Sequence, residues 1–119
     1  MKTDLLERTK IFAVSVIHYT QTLPPTSVGK VIGNQLLRSG TSVGANYRSA
    51  QRAKSKSDFI YKIKIAEEEA DESVYWLELI LASMVSKEFS ESERLLKEAN
   101  ELTAILGSIA IKSKAKSEC

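Results

Sequence analysis

Residues 38–48 read Arg-Ser-Gly-Thr-Ser-Val-Gly-Ala-Asn-Tyr-Arg. What this stretch becomes decides what the chain can fold into. Gly, Ser, Thr and Asn in a run ordinarily mark a loop, and two glycines inside a helix cost about 1 kcal/mol each relative to alanine. Their spacing argues for a helix all the same. At about 100° per residue, Gly29, Gly33, Gly40 and Gly44 fall within roughly 60° of one another. Ile32, Leu36, Val43 and Tyr47 lie on or beside that face. The alternative is a helix broken at the glycines. The aligned stripe predicts one helix over 27–53, its glycines letting a neighbouring helix approach closely. Gln35, Ser39, Ser42 and Asn46 flank the stripe; they either bond across a helix–helix or subunit interface or face water.

The chain of 119 residues is the size of one domain. An apolar content of 43% and a charged content of 27% describe an ordinary globule. Two adjacent prolines and five glycines, four of them in the stripe, leave little punctuation for a many-stranded sheet. No apolar run is long enough to span a membrane and no leader peptide is visible. The single cysteine, Cys119, fits a reducing cytoplasm.

Three more helices follow from periodicity. The first is expected over 3–22, capped by Asp4 with Glu7, with Leu5, Phe12, Val16, Tyr19 and Leu23 inward and Pro24-Pro25 as its stop. Thr26 or Ser27 caps the second. The third, over 56–85, starts at Ser55 with Asp58. Its seam is Phe59, Ile63, Ala66, Ala70, Ser73, Leu77, Ile80 and Met84, at alternating steps of four and three. A second stripe, Tyr61, Ile65, Glu68, Glu72, Trp76 and Leu79, reads either as an oligomer interface or as large side chains leaning over neighbouring elements. The fourth helix, over 91–112, is capped by Ser90 with Glu93 and buries Leu95, Ala99, Leu102, Leu106 and Ile109. Short connectors make the whole an all-α, up-down-up-down four-helix bundle over 1–111, with a frayed basic tail over 112–119.

Enzyme chemistry finds no foothold. The acids Glu67, Glu68, Glu69, Asp71 and Glu72 lack the Glu-x-x-His pairs of a di-iron bundle, and His18 is expected inside or at an interface. Cys119 has no histidine near it, and residues 40–44 lack the ending of a phosphate-binding loop. No catalytic residue, metal or cofactor is expected.

Charge is informative once sorted by bundle end. The whole chain carries only +2. Twelve basic residues fall toward the end that holds both termini: Lys2, Arg8, Lys10, Arg48, Arg52, Lys54, Lys56, Lys62, Lys64, Lys112, Lys114 and Lys116. The acids assigned there are Asp4, Glu7, Asp58 and Glu118. Such a cluster is either a footprint for phosphate or the ordinary gathering of lysines at helix C-termini. The candidate nucleic-acid contacts are Arg48, Arg52, Lys54, Lys56, Lys62 and Lys64.

The stretch 35–48, then Ala50, Ala53, Ser55, Asp58-Phe59, Lys62, Glu69-Ala70 and Tyr75-Trp76-Leu77, closely resembles the bacterial "four helix bundle protein" family. This is also called the 23S rRNA intervening-sequence protein family. The resemblance implies a left-handed up-down bundle, a ring-shaped homopentamer and no enzyme. Some members are encoded in insertions within 23S rRNA genes. A related branch, the accessory protein of diversity-generating retroelements, is a basic pentameric barrel that binds nucleic acid and a reverse transcriptase. The resemblance transfers no site residues. Two function classes follow: a nucleic-acid or ribonucleoprotein accessory protein that binds RNA or DNA, or a scaffold that binds another protein.

Overall fold

The first helix is capped by the residue expected to cap it. Asp4 is extended, and its carboxylate accepts the Leu6 N–H at 3.0 Å. A computed structural model describes residues 4–117. Lys2, Glu118 and Cys119, and residue 3 where the first helix was expected to begin, lie outside the described residues. The elements are α1 (Leu5–Thr20), α2 (Ser27–Gln51), α3 (Lys56–Ser83) and α4 (Phe89–Ser117), with no strand among the described residues.

Helix α2 runs unbroken through residues 38–48, and none of its glycines has positive φ. Its polar residues turn their hydrogen bonds back on the helix. Thr41 Oγ1 donates to the Leu37 carbonyl at 2.8 Å, Ser42 Oγ to Arg38 at 2.7 Å and Asn46 Nδ2 to Ser42 at 2.9 Å. Thr26 caps the helix, its hydroxyl accepting the Gly29 N–H at 3.1 Å.

The glycine face lies against α1 and the turn that follows it. A Cβ on Gly40 would sit 2.9 Å from both methyls of Val16, and one on Gly44 3.1 Å from Thr9 Oγ1. On Gly33 it would meet Leu23 at 3.2 Å, and on Gly29 the Pro24 carbonyl oxygen at 2.1 Å. Residue numbers rise along α1 as they fall along α2, so the two helices run in opposite directions. Contact between α1 and α4 is sparser, but it too is opposed: Arg8 meets Glu98 and Glu101, whereas Tyr19 meets Ser92. Helix α2 also packs on α3, and α3 on α4, while the diagonal pairs have no Cα atoms within 8 Å of each other among the described residues. Phe12, Leu36, Ile63, Leu77, Ile80, Leu95, Leu102 and Leu106 fill the space between them.

Helices α1 and α2 end at Thr20 and Gln51, short of the expected 22 and 53, and four further expectations fail, each for a local reason. Met84, expected in the seam of α3, is 69% exposed. The helix ends at Ser83, not residue 85, because Met84 adopts φ 58°, and the left-handed turn carries its side chain out of register. The third helix also lacks a reciprocal capping box. Ser55 Oγ accepts the Asp58 N–H at 3.1 Å, but the Asp58 carboxylate reaches the N–H of Lys54, one residue further back. Helix α4 starts earlier than expected. Ser86, not Ser90, caps the turn by accepting the Glu88 N–H at 3.0 Å, which leaves Ser90 exposed inside the helix. At the other end the tail is helical to Ser117, since no breaker follows Gly107 and Lys114 and Lys116 in the last turn suit the helix dipole.

Candidate nucleic-acid interface

The basic residues expected to contact phosphate are set by the end of α2 and the start of α3. Arg48 and Arg52 stand one turn apart, Arg52 being the residue that closes α2. Lys54 lies in the connecting turn, Lys56 opens α3, and Lys62 and Lys64 follow on its first turns. The structure sorts this set into two kinds. Arg48, Arg52, Lys54, Lys56 and Lys64 are exposed and form no ion pair among the described residues. Lys62 is half-buried and bound to Asp58 at 3.2 Å. The Asp58 carboxyl is held below the usual carboxylate range, first by the Lys54 N–H and then by the Lys62 ammonium.

The remaining arginines are engaged. Arg8 makes bonds of 2.7 and 2.8 Å to Glu98 and a further one of 2.7 Å to Glu101, and these glutamates raise its pKa. Arg38 binds Glu69 at 3.1 Å and also Glu72; Arg94 binds Glu91 at 2.6 Å. Arg8 therefore drops out of the basic cluster. Sorting by sequence alone places Glu98 and Glu101 at the far end, whereas Arg8 brings both alongside α1. The net excess at this end is smaller than the sequence suggests.

Between α1 and α2 runs a groove of about 520 Å³, lined by Leu6, Lys10, Ala13, Gly44, Ala45, Arg48 and Arg52, with Asp4 and Glu7 also on its wall. Its depth follows from the glycine stripe, because Gly44 and Ala45 contribute almost no side chain. Tyr47, half-buried nearby, has its phenol pKa raised, chiefly by burial and then by Asp4.

The second stripe of α3 is only partly outward. Trp76 and Leu79 are half-buried and pack against the protein's own core; Ile65 is half-buried as well. The Trp76 indole N–H donates to Glu72 at 3.0 Å, and that bond, with Arg38 second, holds the Glu72 carboxyl below its ordinary range. Tyr61 is 64% exposed. The outward aromatic beside Trp76 is Tyr75, which falls outside the periodic stripe. The outer side of α1 is a second surface missed by sequence reasoning: Leu6, Ile11, Val14 and Ile17 are exposed there. A signal was present, since residues 11, 14 and 17 recur at three-residue steps, but the stronger inward set on the same helix hides it. His18, expected inside or at an interface, is exposed.

No three histidine, cysteine, aspartate or glutamate side chains gather as a metal site among the described residues. No described helix is long and apolar enough to cross a membrane.

No curated protein matches the chain. Among solved structures it is similar to a protein of unknown function from the S23 ribosomal protein family of Bacteroides thetaiotaomicron VPI-5482, whose crystal structure was determined at 1.70 Å resolution. The two share 36% identity over 90% of this chain and 98% of the other, with a TM-score of 0.82. Residues 1–108 match the family described as 23S rRNA-intervening sequence protein. The chain therefore belongs to the 23S rRNA-intervening sequence protein family.

Proposed function

We propose that this is a non-enzymatic, cytoplasmic nucleic-acid accessory protein. In this reading it is an up-down-up-down, left-handed bundle that assembles into a homopentameric ring. It holds RNA or DNA by its phosphates through Arg48, Arg52, Lys54, Lys56 and Lys64. The supporting observation is the division among the cations. Arg8, Arg38 and Arg94 are committed to glutamates and Lys62 to Asp58, whereas Arg48, Arg52, Lys54, Lys56 and Lys64 are exposed and have no ion-pair partner among the described residues. Free, exposed cations on helix ends are what counterion release from a polyphosphate requires. Protomers packed side by side about one axis would bring these turns to a single rim. The family's description names 23S rRNA, which makes RNA the first ligand to test.

Binding of this kind is weak, salt-dependent and nearly indifferent to sequence. Titration of labelled single- and double-stranded RNA at two salt concentrations should show affinity falling as salt rises. Replacing Arg52, Lys54 and Lys56 together with Ser should lower the affinity and flatten the salt slope. A parent that binds nothing at low salt would leave the protein-binding scaffold as the better reading, as would a triple variant that binds as well as the parent.

A further inference from the structure

We infer that the outer side of α1, with the groove beside it, receives a second copy of this chain through the outward face of that copy's α3, centred on Tyr75. This deepens the self-association proposed above and rests on it.

Helix α1 is apolar on two sides. Leu5, Phe12, Val16 and Tyr19 are buried against the bundle. Leu6, Ile11, Val14 and Ile17 are between 38% and 55% exposed. At about 100° per residue these four share an arc of roughly 140°. Glu7, Lys10 and His18 are exposed on the same arc, so this second stripe is apolar interleaved with charge, and it gives α1 a second face on which a partner can pack. Helix α4 gives the contrast: between Phe89 and Ile111 no large hydrophobic side chain on it is strongly exposed.

The outward side of α3 supplies the complement. Tyr75 is 54% exposed and its ring is braced by Trp76, edge to face at a centroid distance of 5.1 Å. Asp71 precedes it by one turn and Glu78 follows it by nearly one, both exposed. The groove beside α1 offers the opposite features. It is lined by the small residues Ala13, Gly44 and Ala45, its volume of about 520 Å³ is ample for a phenol ring, and its walls carry Lys10, Arg48 and Arg52 against Asp4 and Glu7, a small positive excess. A rigid aromatic anchor entering a small-residue groove, with carboxylates beside cations, is the usual anatomy of an interface hot spot. Helices α1 and α3 stand diagonally in the bundle, with no Cα of one within 8 Å of a Cα of the other, so the two outward faces are separate. Each copy can then give one face and receive another, a head-to-tail joint that closes into a ring when the rotation allows. Arg48 and Arg52 line this groove as well as the rim, so the joint adjoins one side of the phosphate-facing set.

Cysteine crosslinking of the full chain tests the joint. In a Cys119→Ser background, Ala45→Cys marks the groove and Glu78→Cys marks the face beside Tyr75. The double variant, treated with a short thiol crosslinker, should give a ladder of covalent multimers, while each single variant should give none. Dimers from Ala45→Cys alone would overturn the inference in favour of α1 meeting α1. An assembled protein that yields no ladder would place the interface elsewhere and leave self-association standing. A concentration-independent 13.2 kDa species by light scattering would remove both. Tyr75→Ala should shift the mass toward that of the monomer while keeping the helical circular dichroism and melting temperature of a folded bundle. An unchanged mass would refute the anchor role.

Discussion

The two long seams that α2 makes are built on different physics. Against α1 it offers glycines, and closeness is the whole design: at Gly40 there is no room for even a methyl group beside Val16. Against α3 it offers polar groups. Ser39 and Ser73 share a buried hydrogen bond of 2.9 Å, and Arg38 reaches across to Glu69 and Glu72. Each of those serines also bonds a carbonyl of its own helix, so neither hydroxyl depends wholly on the other. A steric seam fails abruptly when it is filled, because close-packed interiors have no slack. The exposed part of the polar seam, the pairs of Arg38, fails by degrees, because water replaces part of what is lost.

The sharpest way to break the contrast is Gly40→Leu. Leucine gains roughly 0.8 kcal/mol of helix propensity over glycine. Overpacking typically costs 1–3 kcal/mol, and with contacts of 2.9 Å to two methyls about 3 kcal/mol is expected here. Thermal or urea denaturation should show the loss. A variant that melts above the parent would mean that α1 is free to move away and that the stripe is not a close-packing surface.

The polar seam should respond less. Arg38 is 48% exposed, so Arg38→Ala should cost only about 0.5–1 kcal/mol at neutral pH. Its acid dependence follows from Glu72, whose carboxyl is held below its ordinary range by Trp76 and Arg38. A lowered native pKa means that the stabilisation is complete above the unfolded glutamate value of about 4.3. It is then lost as pH falls through the lowered native value. The gap between parent and variant should therefore close on acidification. Denaturation midpoints compared at neutral pH and below the glutamate range check this, and a gap that stays constant would show that Arg38 acts through packing of its stem.

Most of the fold is legible in the amino-acid sequence, and the exceptions have physical reasons. The seam of α3 is legible because Ile63, Ala66, Ala70, Ser73, Leu77 and Ile80 keep one spacing, and all six are buried. The same spacing includes Met84, since nothing local announces that a methionine will close a helix in the left-handed region. Ser86 and Ser90 are both competent caps, and only the packing of the turn, with Ser86 and Ser92 buried, selects between them. The candidate site is legible as a cluster of residue types and illegible as a set of free charges. Arg8 and Glu98 are 90 residues apart, and no pattern in the chain pairs them. Lys62 and Asp58, four residues apart on one helix, can be paired by spacing.

The smallest expected effect separates a binding surface from a structural one. Arg52, Lys54 and Lys56 form no ion pair among the described residues, and all three are exposed. Replacing them together with Ser removes no folded-state ion pair. It relieves some mutual repulsion, and it gives up a favourable charge at the end of α2 against an unfavourable one at the start of α3. These terms are small and opposed, so stability should change by less than about 0.5 kcal/mol, the usual bound for surface positions away from packed features. Arg8→Ala, which strips two glutamates of their partner, should cost more than all three together. Urea denaturation of both variants beside the parent checks the order. A triple variant that melts well below Arg8→Ala would show these cations to be structural, and any loss of RNA affinity on their removal would then report unfolding instead of lost phosphate contacts.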